Sequence, residues 1–184
     1  EHAGWLGGAI YGFFYAPLVI TGLHHMFLAV DFQLMGSSLK GTYLWPIVAI
    51  SNICQGSAAF GAWLIYKRRK MAKEEGLALT SGVSAFLGVT EPAMFGVNLP
   101  LKVPFFAAIC TSGILGAVIG ANRVLGNVGV GGVPAFISIQ SKYWYIYILV
   151  ILLAMILPAV LTVVFSKFTK VKAKEMVENP DDIK

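Results

Sequence analysis

The sequence predicts an all-α integral membrane protein with about four spanning helices and re-entrant hairpins between them. Three observations predict it. Of 184 residues, 57% are hydrophobic and only 12% are charged, about half the charge of a soluble domain. Mean hydropathy is +0.75. The basic residues gather in two clusters, "YKRRKMAK" at Tyr66–Lys73 and "SKFTKVKAK" at Ser166–Lys174, as they do in loops that face the cytoplasm. The net charge of +5 therefore fits a lipid headgroup surface. Basic and aromatic residues do not interleave as a strand-binding groove requires, so no nucleic-acid partner is expected.

The elements follow in order. Glu1 opens on an apolar run without a charged leader or a small-residue cleavage site. This predicts no signal peptide, and an interior or C-terminal part of a longer protein. A spanning helix needs about 20 mostly apolar residues. Ala3–Leu23, Leu44–Tyr66 and Tyr143–Ser166 supply them, and Val103–Ala121 is a slightly short fourth. Aromatic residues near the ends of these spans, such as Trp5, Trp45 and Trp144, suit the interfacial belt. Two further apolar stretches are broken. His25–Gly36 is one; Leu77–Leu101, interrupted at Gly88, Pro92, Gly96 and Pro100, is the other. Such segments predict hairpins or discontinuous helices.

Parity supports the hairpin. If both basic clusters face the cytoplasm, an even number of crossings separates them. Val103–Ala121 and Tyr143–Ser166 supply two, so Leu77–Leu101 must enter and leave on one side, beside Lys67–Lys73. The glycine-rich "GNVGVGGVP" at Gly126–Pro134 lacks the Lys-Ser/Thr of a phosphate loop and has no strand before it. It is expected to be a flexible loop on the other side. Residues 1–166 thus form the membrane domain, and 167–184 a basic, then polar, cytoplasmic tail.

Glu91 is the strongest chemical signal. A carboxylate at bilayer depth costs about 2.5–3.5 kcal/mol on insertion scales. Pro92 disfavours helix at Glu91 and suits the first position of a helix after it. The chain is expected to break at Thr90–Glu91 and to aim the N–H groups of Ala93 and Met94 beside the carboxylate. Donors next to an acceptor suit a ligand rich in hydroxyls. The competing role for Glu91 is an ion pair with a base such as Arg123 that only holds helices together. His24 and His25 end the first span, and Asp31 follows His24 by seven residues, on one face of any helix there. No HxxxH or HExxH spacing occurs, so no metal site is predicted. No cofactor is implied. Asn52 and Gln55 lie inside the second span, where interhelical hydrogen bonding and lining a polar path are both open. Cys54 and Cys110 are read as two buried thiols.

At these residues the chain resembles a known family. "GVTEPAMFGVNLPLK" and "YAPLVITGLHHMF" resemble the Thr-Glu-Pro and His-His segments of the membrane-embedded IIC component of glucose-superfamily phosphotransferase system permeases. With "WPIVAISNICQGSAAFGAWL" and "GVGGVPAFISIQ", the chain is most similar to the trehalose-specific branch, with sucrose and β-glucoside permeases as relatives. The resemblance covers about Gly4 to Phe165. It implies the C-terminal part of an EIIC transport domain, in a bacterial inner-membrane homodimer, and the loss of the first, scaffold-forming part. It implies a catalytic and sugar-binding role for Glu91, with Thr90 beside it, and sugar contact by His24 or His25. Asn52 and Gln55 join them as candidate sugar-binding residues. The implied partners are a disaccharide and a IIB domain carrying a phosphocysteine, fed by IIA and HPr; neither Cys54 nor Cys110 is that cysteine. A proton-coupled sugar transporter with Glu91 as proton carrier is the alternative. A membrane hydrolase ranks last, because no paired carboxylate for glycoside chemistry and no nucleophile motif is present.

Overall fold

The computed structural model describes residues 4–168; apart from its first two residues, the expected tail at 167–184 lies outside the described residues. The described residues are mostly helical. Helices α1 (Gly4–Ile20), α2 (Met26–Gly36), α3 (Leu44–Arg69) and α4 (Ala72–Phe86) come first. Next come α5 (Glu91–Ala93), a π-helical turn (Met94–Asn98) and α6 (Leu99–Leu101), then α7 (Val103–Ala121) and α8 (Trp144–Phe168). Among the described residues α3, α7 and the stretch Ser141–Lys167 are long and apolar enough to cross a membrane. At 17 residues α1 rises about 25 Å, the lower limit of a span. It stops three residues earlier than the hydropathy predicts, because Gly22 at φ +76° turns the chain into the 3-10 turn Leu23–His25.

Small residues decide how the helices meet. Gly4, Gly8 and Gly12 of α1 face Gly120, Gly116 and Ser112 of α7 in antiparallel order. A Cβ on Gly8 would stand 2.1 Å from the Gly116 carbonyl oxygen, and one on Gly120 2.1 Å from that of Gly4. The backbones therefore touch, the small-xxx-small geometry that lipid-embedded helices use in place of a hydrophobic drive. Around this pair α3 is the central helix; its residues from Pro46 to Ala59 are all buried. It runs parallel to α8, with Tyr147 Oη donating to the Pro46 carbonyl (3.0 Å) and Ser57 Oγ to that of Met155 (2.7 Å). Tyr66, Arg69 and Ser166 then share one end of the bundle, so the two basic clusters begin on the same side.

Leu77–Leu101 is the predicted hairpin. Its arms are α4 and the run 91–101, and its tip, 87–90, carries Gly88 at φ +103°. Leu101 returns to a small cavity with Ala62, Tyr66 and Arg69, and Val97 packs with Ala59, Ala78 and Ala85. Both ends therefore sit beside the Lys67–Lys73 turn. Pro100 has no N–H for the Gly96 carbonyl, and just ahead of it the helix widens into the π turn, which adds a residue to the circuit. That turn carries Asn98, fully buried. Its Nδ2 donates to the Gln55 backbone oxygen (2.9 Å) and Oε1 (2.7 Å).

The glycine-rich segment departs from expectation. It is packed, not a free loop. The Gly126 backbone exchanges hydrogen bonds with Thr42 (3.0 and 2.8 Å), and Gly131 and Gly132 press on the hairpin tip; a Cβ on Gly132 would meet the Phe86 oxygen at 2.2 Å.

Gly8→Ala should destabilise the solubilised protein by about 1–3 kcal/mol through overpacking. Gly7→Ala, with nothing within 4 Å of the new methyl, should leave it unchanged. The thermal unfolding midpoints of the two variants check this; equal midpoints would rule out the contact as a determinant.

Candidate functional site

One cavity, of about 190 Å³, collects most of the chemistry. Helix α1 supplies Tyr11, Tyr15 and Val19, one face at a spacing of four. Helix α3 supplies Trp45, Val48 and Asn52, again one face. The hairpin tip brings Gly88, Thr90 and Glu91, the turn after α1 brings His24 and His25, and α2 brings Phe27, Leu28 and Asp31. Gly131 closes the wall behind Asn52. The break that the Glu-Pro pair predicts is what puts Glu91 here. Its helix begins at Glu91 itself, one residue before the predicted start.

Polar groups converge on this space. Asn52 Nδ2 reaches the Gly88 carbonyl at 3.4 Å, tying the tip to α3. The His24 and His25 rings lie 3.9 Å apart, and Tyr15 stands edge-on to His24 at 6.1 Å. Burial first, and the His25 ring next, lower the pKa of His24 against the opposing pull of Glu91, which favours the uncharged imidazole with one donor and one acceptor nitrogen. Asp31 is 1% exposed and accepts a hydrogen bond from Thr42 Oγ1. Buried polar atoms are normally paired, yet Tyr11 Oη, Trp45 Nε1 and His24 Nδ1 have no hydrogen-bond partner among the described residues. Three unmet groups around one cavity, with two carboxylates in its wall, give it both donors and acceptors.

The structure sorts the sequence candidates. It brings Glu91, Thr90, His24, His25 and Asn52 together and leaves Gln55 out. Gln55 is 2% exposed and spends its Oε1 on Asn98, the interhelical role of the two left open. Arg123 lines a separate cavity with Gly4, Tyr43 and Gly120, not the one that holds Glu91. The Met94 N–H is also not free for a ligand, since it donates to the Thr90 carbonyl at 2.8 Å, which leaves Glu91 and Ala93 with the end N–H groups. Cys54 is buried as expected, whereas Cys110 is exposed on α7. Among the described residues no three His, Cys, Asp or Glu side chains are grouped to hold a metal ion. Sequence reasoning missed Tyr11, Tyr15 and Trp45. Their four-residue and seven-residue steps toward Val19 and Asn52 were visible, but an aromatic residue on a membrane helix reads first as packing or as an interfacial anchor.

Comparison with known proteins identifies the family. The phosphotransferase system EIIC family matches residues 1–113, which include Glu91 and both histidines. This chain belongs to that family. The EIIC chain is 52% identical over 164 residues to the trehalose-specific EIIBC component of Bacillus subtilis, covering 89% of this chain and 34% of that protein. It is 47% identical over 158 residues to the trehalose-specific EIIBC component of Escherichia coli, covering 85% and 33%. The sucrose-specific EIIBC component of Staphylococcus xylosus is 49% identical over 152 residues, covering 80% and 31%. The chain thus spans about a third of the length of the curated relatives it matches. No solved structure matches it.

Accessibility separates the two amides. In a background without other reactive thiols, Asn52→Cys should react with a water-soluble maleimide and Gln55→Cys should not. Equal labelling of both would contradict the cavity wall described above.

Proposed function

We propose that this EIIC chain is the sugar-translocating part of a permease that binds an external disaccharide, trehalose in first place, and presents it to a phosphocysteine-bearing IIB domain. The observation that carries the proposal is the meeting of Glu91, His24 and the unpartnered Tyr11 and Trp45 donors around one cavity. A sugar hydroxyl needs both a donor and an acceptor, and this wall has both. Thr90 and Asn52 support the hairpin tip that carries Glu91. The relatives' names combine B and C components, which favours a IIB partner fed by the IIA and HPr relay. A homodimer in the bacterial inner membrane, crossing it several times with the basic clusters on the cytoplasmic side, completes the proposal.

The chemistry asked of this chain is modest. The phosphoryl donor sits on IIB, and phosphoryl transfer depends mainly on positioning and charge stabilisation. Glu91 accepts the hydrogen bond of the hydroxyl to be phosphorylated and polarises it as the phosphoryl group approaches. His24 orients the same oxygen.

Radiolabelled disaccharide uptake by cells expressing the full-length permease, with and without the phosphorelay proteins, tests the whole reading. Uptake should require the relay and yield phosphosugar. Uptake that survives without the relay and follows a proton gradient would refute it.

Glu91→Gln separates binding from chemistry. Loss of a hydrogen bond to a charged group should weaken sugar binding by about 1.5–3 kcal/mol. If the carboxylate also polarises the hydroxyl, the rate at saturating sugar should fall by a further ~10²–10⁴. Parental binding and parental rate in this variant would make Glu91 structural.

A further inference from the structure

The cavity is long, and its two ends differ. Gly12 of α1 approaches Ile47 of α3, while Val19 clusters with Val48 and Met94, so α1 and α3 run in the same direction along the cavity. From Tyr11 to Val19 is about 12 Å along the helix, and from Trp45 to Asn52 about 10 Å. Asn52 reaches the hairpin tip, which places Glu91 at the Val19–Asn52 end. Asp31 is bonded to Thr42, two residues before α3 starts, which places it at the Tyr11–Trp45 end. Phe27, one turn from Asp31, stands 5.1 Å from the Tyr11 ring and fixes the same arrangement.

The far end has polar capacity that nothing in the fold uses. Tyr11 Oη and Trp45 Nε1 are buried and lack partners among the described residues, and both residues line the cavity. Asp31 accepts from Thr42 Oγ1 and from the Trp45 backbone N–H, and a carboxylate has about four acceptor positions, so about two are left. Leaving two donors unmet in a buried wall is costly, unless a ligand engages them. Resting on the function proposed above, we propose that Tyr11, Trp45 and Asp31 form a second subsite. It takes the sugar ring that is not phosphorylated, while Glu91 and His24 hold the reacting ring. The pair of subsites selects two-ring sugars. Tyr11 and Trp45 donate to hydroxyls of the second ring, and Asp31 accepts from one.

The subsite makes a testable split. A group that holds only the remote ring contributes binding in ground state and transition state alike, so its loss raises KM and spares kcat. Tyr11→Phe removes the donor and keeps the ring; Trp45→Phe removes the donor and keeps an aromatic ring, although a smaller one. In the full-length permease in membrane vesicles, each should weaken trehalose binding about two- to twelvefold. Together they should weaken it about tenfold or more, with the IIB-dependent rate at saturating trehalose within about threefold of the parent. Asp31→Asn, which keeps an acceptor for Thr42, should behave like the double variant. Parental trehalose affinity in the Phe variants overturns the subsite, as does a loss of saturated rate comparable to that of Glu91→Gln. A parent protein that binds neither trehalose nor sucrose overturns the proposed function and the subsite with it. A parent that binds, beside Phe variants that bind equally well, overturns the subsite alone.

Discussion

The arrangement depends on helix backbones touching. In lipid, association gains little from burying apolar side chains, so contact area between backbones decides which helices pair. Gly8 against Gly116 joins α1 to α7. Gly56 sits against Gly82 and Phe86, and Gly61 against Ala159, so α3 uses the same device toward α4 on one side and α8 on another. Gly131 and Gly132 extend it to the hairpin tip. The walls made by α1, α3 and the hairpin tip are each located by one of these approaches.

Polar groups then set register inside the bundle. Asn98 offers two amide N–H donors, and Gln55 supplies an acceptor for each, its backbone oxygen and its Oε1. The π turn matters because it rotates Asn98 toward α3 while Val97 and Met94 keep their apolar contacts. Fixing the return arm in this way fixes Glu91, which begins it. The carboxylate is thus held at depth by amides that never touch the cavity.

Much of this was legible in the residues. The Glu-Pro pair announced the break, and the parity of basic clusters announced that both arms return to one side. Gln55 was ambiguous because an amide in a membrane helix has two physical uses, and only the position of Asn98, a residue 43 further along the chain, decides between them. The glycine-rich segment misled for a related reason. Glycine permits both mobility and close approach, and sequence does not say what comes close. The aromatic wall was hidden because Tyr11 and Trp45 have the spacing of ordinary helix faces, and only the unmet atoms distinguish them.

The two sides of the cavity differ in stiffness. The α3 side is buried along nearly four turns, whereas α2 has Asp31 as its one buried residue and is otherwise joined at Tyr11–Phe27 and by the Val128 N–H on Met35 sulfur. Segments with so few buried contacts open at a small fraction of the global unfolding free energy. Within this chain, the rigid face carries the carboxylate that must be placed accurately. The compliant face is α2 itself, which begins beside His25 and carries Asp31, so the least firmly held wall borders both ends of the cavity.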